Sequence, residues 1–324
     1  MREIRSCNVA VVGGAGFLGS HLVDYLIKDR NCEVTVVDNL CAGRREFIHP
    51  LARFIHHDIT GSEEFLTSIF KSHGICYVFN YAAWPYIPVS FQRPMQVFSV
   101  NANGAMKVIN AAQAAGCIGI LQVSSAEIYG NCEGQINEFA PVGPRSTYGA
   151  AKLAVDYYCQ TAWKERQTPV IALRQFNCVG ERETHPYVIP EIISQLSEGR
   201  NRNGMYYQVD LGNNTERDFL YAGDAVRGAV LLLEHGQFGE VYNLGSEGCI
   251  SIYELAQLIG ELMGRPCVVR KDAARVRPWE IWHLWSDNTR LYGATGFTPT
   301  FTLRDALVAT IDSFRKTNRW CWSV

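Results

Sequence analysis

Several features that mark common classes of protein are missing from this 324-residue sequence. None of its apolar runs approaches the roughly 18 residues that a membrane-spanning helix needs, and its start, MREIRSCNVAVVGG, contains no signal-peptide core or cleavage site. A formal net charge of -2 gives no broad basic surface for nucleic acid. The eleven cysteines are odd in number and include no CxxC pair, which is typical of a reduced intracellular protein. These absences predict a cytoplasmic globular protein that has no nucleic-acid or membrane partner.

Short β-branched runs alternate with helix-length segments through the first half of the chain. The strand-like runs are NVAVVG, EVTVVD, YVFNYAA, ILQVSS and VIALRQFN, and the helix-like segments are GSHLVDYLIKD, residues 101–115 and residues 148–164. This alternation predicts parallel βαβ units and therefore an α/β fold of the Rossmann type, with a doubly wound parallel sheet. Ligands of such sheets bind beyond the carboxyl ends of the strands, so residues that end strands are the first candidates for a site.

The pattern becomes looser after about residue 180. A proline-containing segment, HPYVIPEIISQL, leads into a stretch rich in glycine and asparagine, and helices are predicted at about residues 225–234 and 251–263. We expect residues 1–180 to form a dinucleotide-binding domain that carries the catalytic residues. Residues 181–324 are expected to form mainly a smaller C-terminal lobe that binds the substrate. The chain should cross between the two parts at least twice, so this boundary is approximate.

A glycine-rich turn lies between the first predicted strand and the first predicted helix. It contains Gly13, Gly16 and Gly19, with Phe17 and Leu18 between the last two. Such glycines permit a tight turn and let backbone N–H groups approach a pyrophosphate at the helix N-terminus. The motif therefore predicts a dinucleotide site, and a tight turn without a ligand is the alternative.

The strands that follow this turn end in acidic residues. Asp38 lies about 20 residues beyond the turn, where a carboxylate can accept from a ribose 2′-hydroxyl and would repel the 2′-phosphate of NADP, which favours NAD. Arg44 and Arg45 could weaken that preference, and ordinary surface charge is the alternative for both. Asp58 and Ile59 end a further strand and could reach the adenine, whereas a helix cap is the alternative for Asp58.

Tyr148 and Lys152 are four residues apart on a predicted helix and therefore share one face. A nearby ammonium and a positively charged nicotinamide are expected to lower the pKa of the phenol. Such a tyrosine could take the proton from a sugar hydroxyl while hydride leaves the carbon. Ser125, at an upstream strand end, could hydrogen-bond the same substrate oxygen. An exposed helix pair is the alternative for Tyr148 and Lys152.

Many short blocks of the sequence occur together in one family, and in the same order. They are GGAGFLGSHL, DNL at 38–40, NYAA at 80–83, VNANG at 100–104, SSAEIYG at 124–130, STYGAAK at 146–152, LRQFNCVG at 173–180, ERDFLYAGD at 216–224 and ARVRPWE at 274–280. Over nearly its whole length the chain resembles the extended short-chain dehydrogenases/reductases of the NAD-dependent epimerase/dehydratase family, which modify nucleotide sugars. The resemblance implies an enzyme with NAD as cofactor and a nucleotide-diphosphate sugar as substrate.

The resemblance also implies roles for individual residues. It implies that Asp38 and Asn39 hold the adenosine ribose, that Asp58 and Ile59 hold the adenine, and that Ala82 and Asn101 line the NAD site. Ser125, Tyr148 and Lys152 would be the catalytic triad. Asn177, Arg217 and Arg277 would contact the sugar-nucleotide diphosphate, and the forked N–H donors of arginine suit that task. A structural ion pair is the alternative for either arginine.

The reaction within the family depends on the residues between Ser125 and Tyr129. Glu127 resembles the glutamate with which dehydratases and decarboxylases act near C5 of a 4-keto sugar, although a strand-end carboxylate bonded to a neighbour is its alternative. Ala126 stands where many dehydratases have an aspartic acid, and it resembles the small residue of many 4-epimerases. We therefore expect a redox-neutral sugar 4-epimerase first and a dehydratase that uses Glu127 as base second. UDP-glucuronate decarboxylase, a net NAD-linked oxidoreductase and a non-catalytic NAD-binding regulator are further alternatives.

Some expectations concern the surroundings of the site. Trp84 and Tyr86 could shape the sugar pocket, and packing within their loop is the alternative. The resemblance implies a homodimer formed by the helices at residues 105–115 and 148–163, whose alanines permit close packing. No metal site is expected, because His56 and His57 are an isolated pair.

Overall fold

The chain folds around a seven-stranded parallel sheet, as seen in a computed structural model that describes residues 2–184, 186–199, 206–277 and 279–317. The strands are, in chain order, β1 Asn8–Val12, β2 Glu33–Asp38, β3 Arg53–His56, β4 Tyr77–Asn80, β5 Gly119–Val123, β6 Val170–Gln175, β7 Asn177–Val179, β8 Tyr207–Leu211, β9 Glu216–Arg217, β10 Phe219–Tyr221, β11 Val241–Leu244, β12 Ile250–Ser251, β13 Cys267–Lys271 and β14 His283–Leu284. The helices are α1 Phe17–Lys28, α2 Glu63–Ser72, α3 Ile87–Gln92, α4 Pro94–Phe98, α5 Ala105–Ala115, α6 Thr147–Arg166, α7 Val188–Glu198, α8 Ala222–His235, α9 Ile252–Leu262, α10 Thr289–Thr295 and α11 Leu303–Thr317.

The strand order of the large sheet is β11-β6-β5-β4-β1-β2-β3, and each neighbouring pair is parallel. The chain builds outward from β1 to β3, then returns to the other side of β1 and builds outward again from β4 to β6. The direction reverses between β1 and β4, which is where sheets of this kind bind ligands. The predicted Rossmann-type α/β fold is confirmed.

Alternate residues of the strands pack against helices on both faces of this sheet. In β1, Val9 and Val11 belong to one buried apolar cluster, which includes side chains of α1 and α8, whereas Ala10 and Val12 belong to another, which includes side chains of α2, α5 and α6. Because both faces are covered, the central strands consist almost entirely of apolar residues. This explains why runs such as NVAVV show no alternation of polar and apolar side chains.

The second half of the chain contributes to both parts of the molecule. Helix α8 packs on α1, and β11 forms one edge of the large sheet. Helices α7, α9 and α11 instead enclose a separate apolar cluster with β8 and β10. The small lobe is therefore assembled from several segments of residues 181–324, whereas within that range β11 belongs to the large sheet and α8 packs beside it.

Helix boundaries differ from the sequence-based expectation at several points. Helix α2 was not identified, although Ser62 caps it by accepting from the backbone N–H of Phe65 at 3.0 Å. Helix α7 continues through Pro190, which is tolerated because it lies in the first turn, where backbone N–H groups have no helical partner. His185, at the start of that proline-containing segment, lies outside the described residues. The helix predicted from residue 101 begins with a π-helical turn at Ser99–Gly104.

The cysteine and membrane expectations can be compared with the described part of the chain. All cysteines within it are free thiols, and the closest pair, Cys7 and Cys32, has its sulfur atoms 3.9 Å apart. Among the helices described, none combines the length and the apolar character needed to cross a bilayer.

A buried ion pair connects α6 to the centre of the sheet. The guanidinium of Arg174 in β6 donates to both carboxylate oxygens of Asp156 in α6, each at 2.9 Å. Its remaining nitrogen donates to the Tyr129 hydroxyl and to the Glu138 carbonyl, also at 2.9 Å. Tyr129 in turn donates to Asn243 of β11 at 2.7 Å. The network therefore joins the helix of Tyr148 and Lys152 to two strands and to the loop that follows β5.

We expect Asp156→Ala to lower the free energy of unfolding by about 3–5 kcal/mol, because it leaves the Arg174 guanidinium buried without its counter-charge. Urea unfolding followed by circular dichroism measures this change. The matched control is Glu261→Ala, which breaks an exposed pair with Arg304 and should cost less than about 1 kcal/mol. Equal costs for the two variants would contradict the proposed importance of the buried pair.

Candidate active site

A cavity of about 810 Å³ lies at the carboxyl ends of the strands around β1 and β4. Every site residue predicted from the sequence except Asn101 lines it: Gly13, Gly16, Phe17, Leu18, Gly19, Asp38, Asn39, Asp58, Ile59, Ala82, Trp84, Tyr86, Ser125, Ala126, Glu127, Tyr148, Lys152, Asn177, Arg217 and Arg277. One continuous cavity therefore connects the glycine-rich turn, the Tyr148 region and the two arginines.

The glycine-rich turn requires glycine at two of its positions. Gly13 has a φ of +80°, and a Cβ atom there would lie 2.5 Å from the backbone nitrogen of Ala82. A Cβ atom at Gly19 would lie 2.1 Å from the carbonyl oxygen of Gly13. No side chain caps the N-terminus of α1, where Gly16 is the N-cap. Its first backbone N–H groups can therefore bind an anionic ligand such as a pyrophosphate.

The Asp38 carboxylate is already part of the folded turn. It accepts from the backbone N–H of Ala15 at 3.0 Å and from that of Leu40 at 2.8 Å. Burial raises the pKa of Asp38, and these two hydrogen bonds partly oppose that effect. Asp38 therefore fixes the glycine-rich turn to the end of β2, a structural role that sequence reasoning missed. Each oxygen of a carboxylate has a second lone pair with which it can accept from a ligand.

Asn39, Asp58 and Ile59 form the adjoining wall. The Asn39 amide donates to the Asp58 carboxylate at 2.8 Å, and the same carboxylate accepts from the backbone N–H of Thr60 at 2.8 Å. Because Ser62 is the N-cap of α2, Asp58 is not a helix cap. The alternative that Asp58 is a helix cap, which the sequence left open, is therefore wrong.

The expectation that Asn101 lines the dinucleotide site is not supported. Its side chain is fully buried and is bonded on both sides to the backbone of Trp84, accepting from the N–H at 2.6 Å and donating to the carbonyl at 3.0 Å. With these two hydrogen bonds, Asn101 positions the loop that contains Trp84 and Tyr86. The backbone rather than the cavity is its partner.

Trp84 and Tyr86 both line the cavity and also take part in packing, and their role in shaping a sugar pocket stays a prediction. Both pack against a cluster that includes Val89 and Tyr148. The ring of Tyr86 also meets that of Tyr187, a residue missed by sequence reasoning, edge to face at 6.1 Å between centroids. Tyr187 carried no recognisable motif, because it became part of the site only through the fold.

Ser125, Tyr148 and Lys152 come together where β5 ends beside α6. Ser146 starts α6 by accepting from the backbone N–H of Gly149 at 3.1 Å, which sets Tyr148 and Lys152 one turn apart on its buried face. The Lys152 ammonium donates to the carbonyl of Val123 at 2.8 Å and lies 5.9 Å from the centroid of the Tyr148 ring.

The pKa of Tyr148 departs from the expectation drawn from the sequence. Burial raises it to about 12; a hydrogen bond with Ser125 lowers it and the nearby Glu127 raises it further. Burial also lowers the pKa of Lys152 to about 8. In the protein alone Lys152 therefore does not bring about the expected lowering of the phenol pKa, and the contribution expected from a positively charged nicotinamide stays a prediction. Both groups are removed from water, and the ammonium donates to a backbone carbonyl.

Glu127 faces the two arginines across the cavity lining. Its own backbone N–H donates to the Ser125 hydroxyl at 3.2 Å. Burial raises the pKa of the Glu127 carboxyl, whereas Arg217 and Arg277 lower it. No hydrogen bond joins its carboxylate to another side chain in the described part of the molecule. This weighs against the alternative of a carboxylate bonded to a neighbour.

Arg217 and Arg277 share one carboxylate, that of Glu280. The distances from their guanidinium nitrogens to Glu280 are 3.5 Å and 3.9 Å. The ion-pair alternative is therefore realised for both arginines. Two cations beside one carboxylate still leave donors for an anionic ligand. Glu280 was missed, although it ends the block ARVRPWE; Pro278 of that block lies outside the described residues.

The remaining expectations concern Asn177, Ala126, the arginines after β2 and metal ions. Asn177, at the start of β7, is exposed to the cavity, and Ala126 is buried in its wall. Arg44 pairs with Glu46 at 3.2 Å, and the Arg45 guanidinium lies 4.6 Å from the centroid of the Phe54 ring. Within the described ranges, no three His, Cys, Asp or Glu residues are grouped so that they could hold a metal ion.

The lowered pKa of Lys152 makes stability depend on pH. Between about pH 8 and 10 the unfolded chain still binds the lysine proton that the folded chain has lost, so stability rises with pH. We expect Lys152→Met to have a higher free energy of unfolding than wild type at pH 8. This difference should decrease by about 2 kcal/mol by pH 10. Urea unfolding at each pH measures the difference. Lys164→Met, at an exposed position of the same helix, should keep a constant difference from wild type, and a constant difference for Lys152→Met would refute the effect.

Comparison with known proteins gives consistent matches over most of the chain. A model of the NAD dependent epimerase/dehydratase family matches residues 9–245. The dTDP-D-glucose 4,6-dehydratase of Bos taurus is 31% identical over 322 residues, which cover 95% of this chain and 88% of that protein. The UDP-glucose 4-epimerase of Streptococcus mutans is 28% identical over 336 residues, covering 97% of this chain and 96% of that protein.

Solved structures agree with these sequence matches. The UDP-glucose 4-epimerase of Thermotoga maritima, crystallised with UDP-glucose, superposes with a TM-score of 0.86 at 28% identity and covers 96% of this chain and 100% of that chain. Epimerases and dehydratases are thus similarly related to it. The chain is an enzyme of the NAD-dependent epimerase/dehydratase family, the extended short-chain dehydrogenases/reductases that act on nucleotide sugars with NAD as cofactor.

Proposed function

We propose that this enzyme is a redox-neutral 4-epimerase of a nucleotide-diphosphate sugar and works through a transient 4-keto intermediate. The observation that carries the proposal is the composition of one cavity wall: Ser125, Tyr148 and Lys152 stand together there, and the neighbouring position is Ala126. The first three can move the proton that accompanies oxidation or reduction of a carbinol carbon when a bound dinucleotide carries the hydride. Alanine supplies no acid to expel a hydroxyl group.

The residues around the glycine-rich turn fit NAD. Cβ atoms at Gly13 and Gly19 would meet the protein's own backbone, so glycine there lets the turn close, and the uncapped N–H groups at the start of α1 border the cavity and would bind a pyrophosphate. Asp38 and Asn39 would hold the adenosine ribose, and Asp58 and Ile59 the adenine. When bound, NAD supplies a hydride acceptor at the sugar carbon and later returns the hydride.

Tyr148 would take the proton of the sugar 4-hydroxyl while Ser125 holds the same oxygen. With a pKa of about 12, the phenol is protonated at neutral pH. It must therefore release that proton to solvent before it can accept one from the sugar, and positive charge on Lys152 and on bound NAD would favour the phenolate. Reduction of the ketone from its other face returns the proton from Tyr148 and gives the epimer, so that no net oxidant is consumed.

Asn177, Arg217 and Arg277 would hold the diphosphate of the substrate. The two guanidinium groups share Glu280 and lie near Glu127, and their remaining N–H donors would bind phosphate oxygens. Trp84 and Tyr86 would form the wall around the sugar, since an apolar and aromatic wall leaves the 4-keto sugar room to turn over.

Dehydration is the second candidate, and Glu127 favours it. Its carboxyl lines the cavity beside Ser125, has a pKa raised by burial, and makes no side-chain hydrogen bond among the described residues. Such a group can take a proton from C5 of a 4-keto sugar. The 6-hydroxyl would then have to leave without help from position 126.

The proposal includes a homodimer formed by α5 and α6. Ala111, Ala112 and Ala151 are buried within the protomer, so they do not form such an interface. The outward-facing Tyr157, 52% exposed on α6, supports it instead.

Product analysis separates epimerisation from dehydration. We expect wild-type enzyme with NAD, incubated with UDP-, dTDP-, GDP- and CDP-hexoses, to convert at least one of them to a product of unchanged mass that proton NMR identifies as the 4-epimer. Loss of water in the mass spectrum would refute epimerisation and support dehydration. Glu127→Gln should leave epimerisation within about fivefold of wild type, whereas loss of a dehydratase's base should lower kcat about 100-fold or more.

Tyr148→Phe serves as the catalytic control for this experiment. It removes the proton acceptor while leaving the ring in place, so turnover should fall about 100-fold or more, with NAD binding preserved. Unchanged turnover would overturn the role of Tyr148 in either reaction.

Asp38 offers a test of the cofactor site. We expect Asp38→Ala to weaken NAD binding about 10- to 100-fold, because it removes hydrogen bonds to a charged acceptor and two anchors of the turn. Preference for NAD over NADP should shrink at the same time. Isothermal titration calorimetry with each dinucleotide measures both effects. Glu46→Ala, which removes only the exposed partner of Arg44, is the control; equal NAD affinity in wild type and Asp38→Ala would exclude the proposed role.

A further inference from the structure

Glu183 is a buried acid that the proposed reaction does not use. Its side chain is 6% exposed and lines the same cavity, and its Oε2 atom is buried without a hydrogen-bond partner among the described residues. Burying an unpaired carboxyl group costs stability. A folded protein retains such a group when a ligand completes its hydrogen bonding or when a neighbouring residue requires it.

The loop that carries Glu183 is held in place on its outer side. The Glu181 carbonyl is bonded to the ring nitrogen of His21 at 2.7 Å, and the Glu181 carboxylate accepts from the Tyr221 hydroxyl at 3.1 Å. Arg182 pairs with Asp24 of α1 at 2.7 Å. These contacts tie the two preceding residues to the surface of α1 and to the end of β10.

The backbone of this loop is strained at the residue before Glu183. Arg182 has a φ of +68°, a left-handed conformation that costs a residue with a side chain about 1 kcal/mol or more. That conformation sends the side chain of Arg182 outward to Asp24 and the next side chain inward to the cavity. The strain and the outer contacts together fix the inward position of Glu183.

The neighbours of Glu183 place it at the chemical end of the cavity. Tyr187 lines the same cavity four residues further along the chain, its ring meets that of Tyr86, and Tyr86 packs against the cluster that contains Tyr148. Glu183 is therefore near the proposed reaction centre and not in the wall formed by Asp38 and Asp58. No arginine, lysine or histidine among the described residues pairs with it.

We propose that Glu183 is a ligand-binding residue whose carboxyl group donates a hydrogen bond to an oxygen atom of the molecules bound at the chemical end of the cavity. Burial raises the pKa of the Glu183 carboxyl well above its usual range, which favours the protonated form and supports donation. Two oxygens have the required chemistry: a hydroxyl of the sugar and the carboxamide oxygen of NAD. The assignment to a sugar hydroxyl rests on the proposed function, whereas the assignment to the carboxamide oxygen of NAD does not.

Two substitutions distinguish hydrogen bonding from charge. Glu183→Gln keeps a donor and an acceptor of the same size and should bind both ligands within about threefold of wild type. Glu183→Leu removes the polar group and should weaken one ligand about tenfold, the loss expected for one hydrogen bond. Glu183→Met replaces Glu183→Leu if the branched side chain prevents folding. Glu181→Gln, on the same loop and able to accept from Tyr221 as before, is the matched control and should bind as wild type does.

Calorimetry has two arms: NAD added to the protein, and UDP-glucose or dTDP-glucose added to the NAD complex. Weakening in the NAD arm identifies the carboxamide as the partner, and weakening only in the second arm identifies the sugar. Thermal unfolding should show Glu183→Leu melting at or above the wild-type temperature, since the unpaired group is gone. A large fall in melting temperature would show a structural residue and overturn the proposal.

Two further results would overturn it. One is unchanged affinity of Glu183→Leu in both arms, and the other is Glu183→Gln binding as weakly as Glu183→Leu, which would mean that a charged carboxylate is needed. If wild type binds no nucleotide sugar, the proposed function fails, but the NAD arm still tests Glu183.

Discussion

The buried pair of Arg174 and Asp156 is the interaction on which the geometry of the site depends. It joins α6, which carries the proposed proton acceptor, to the central sheet, and through Tyr129 it holds the loop that follows Ser125, Ala126 and Glu127. The three proposed catalytic groups come from two elements that are 20 residues or more apart in the chain. Without a rigid connection between those elements their distances would vary, and proton transfer requires distances near 3 Å.

The cavity combines a charged and an uncharged region. Where the diphosphate is expected, Arg217, Arg277, Glu127 and Glu280 face one another. Around Tyr148, burial disfavours the charged form of each titratable group: it raises the pKa of Tyr148 and Glu183 and lowers that of Lys152. In all three cases the neutral form is favoured. A bound nucleotide sugar would thus meet fixed charges at its diphosphate. At its sugar it would meet groups whose charged forms burial disfavours, although Lys152, with a pKa of about 8, still carries its proton at neutral pH.

Local patterns in the sequence predicted most of the fold and the dinucleotide wall, because both depend on neighbours along the chain. Strand-sized apolar runs, the glycine spacing and the four-residue interval from Tyr148 to Lys152 are features of this kind. Glu183, Tyr187 and Glu280 were missed because only the folding of distant segments gives them a role. The hydrogen bonds of Asn101 and the raised pKa of Tyr148 in the protein alone were not predicted, for the same reason. They depend on the backbone of Trp84 and on burial, neither of which spacing reveals.

Asp38 illustrates how stability and recognition can depend on a single carboxylate. Since it accepts hydrogen bonds from Ala15 and Leu40, the turn is ordered before any ligand arrives. Ligand binding therefore does not have to offset the entropy lost in ordering the turn. The two roles of this carboxylate also restrict evolutionary change. A descendant that accepted a 2′-phosphate would have to lose the negative charge and, in the same step, find new acceptors for two backbone N–H groups. A switch of cofactor by one substitution is therefore disfavoured in this chain.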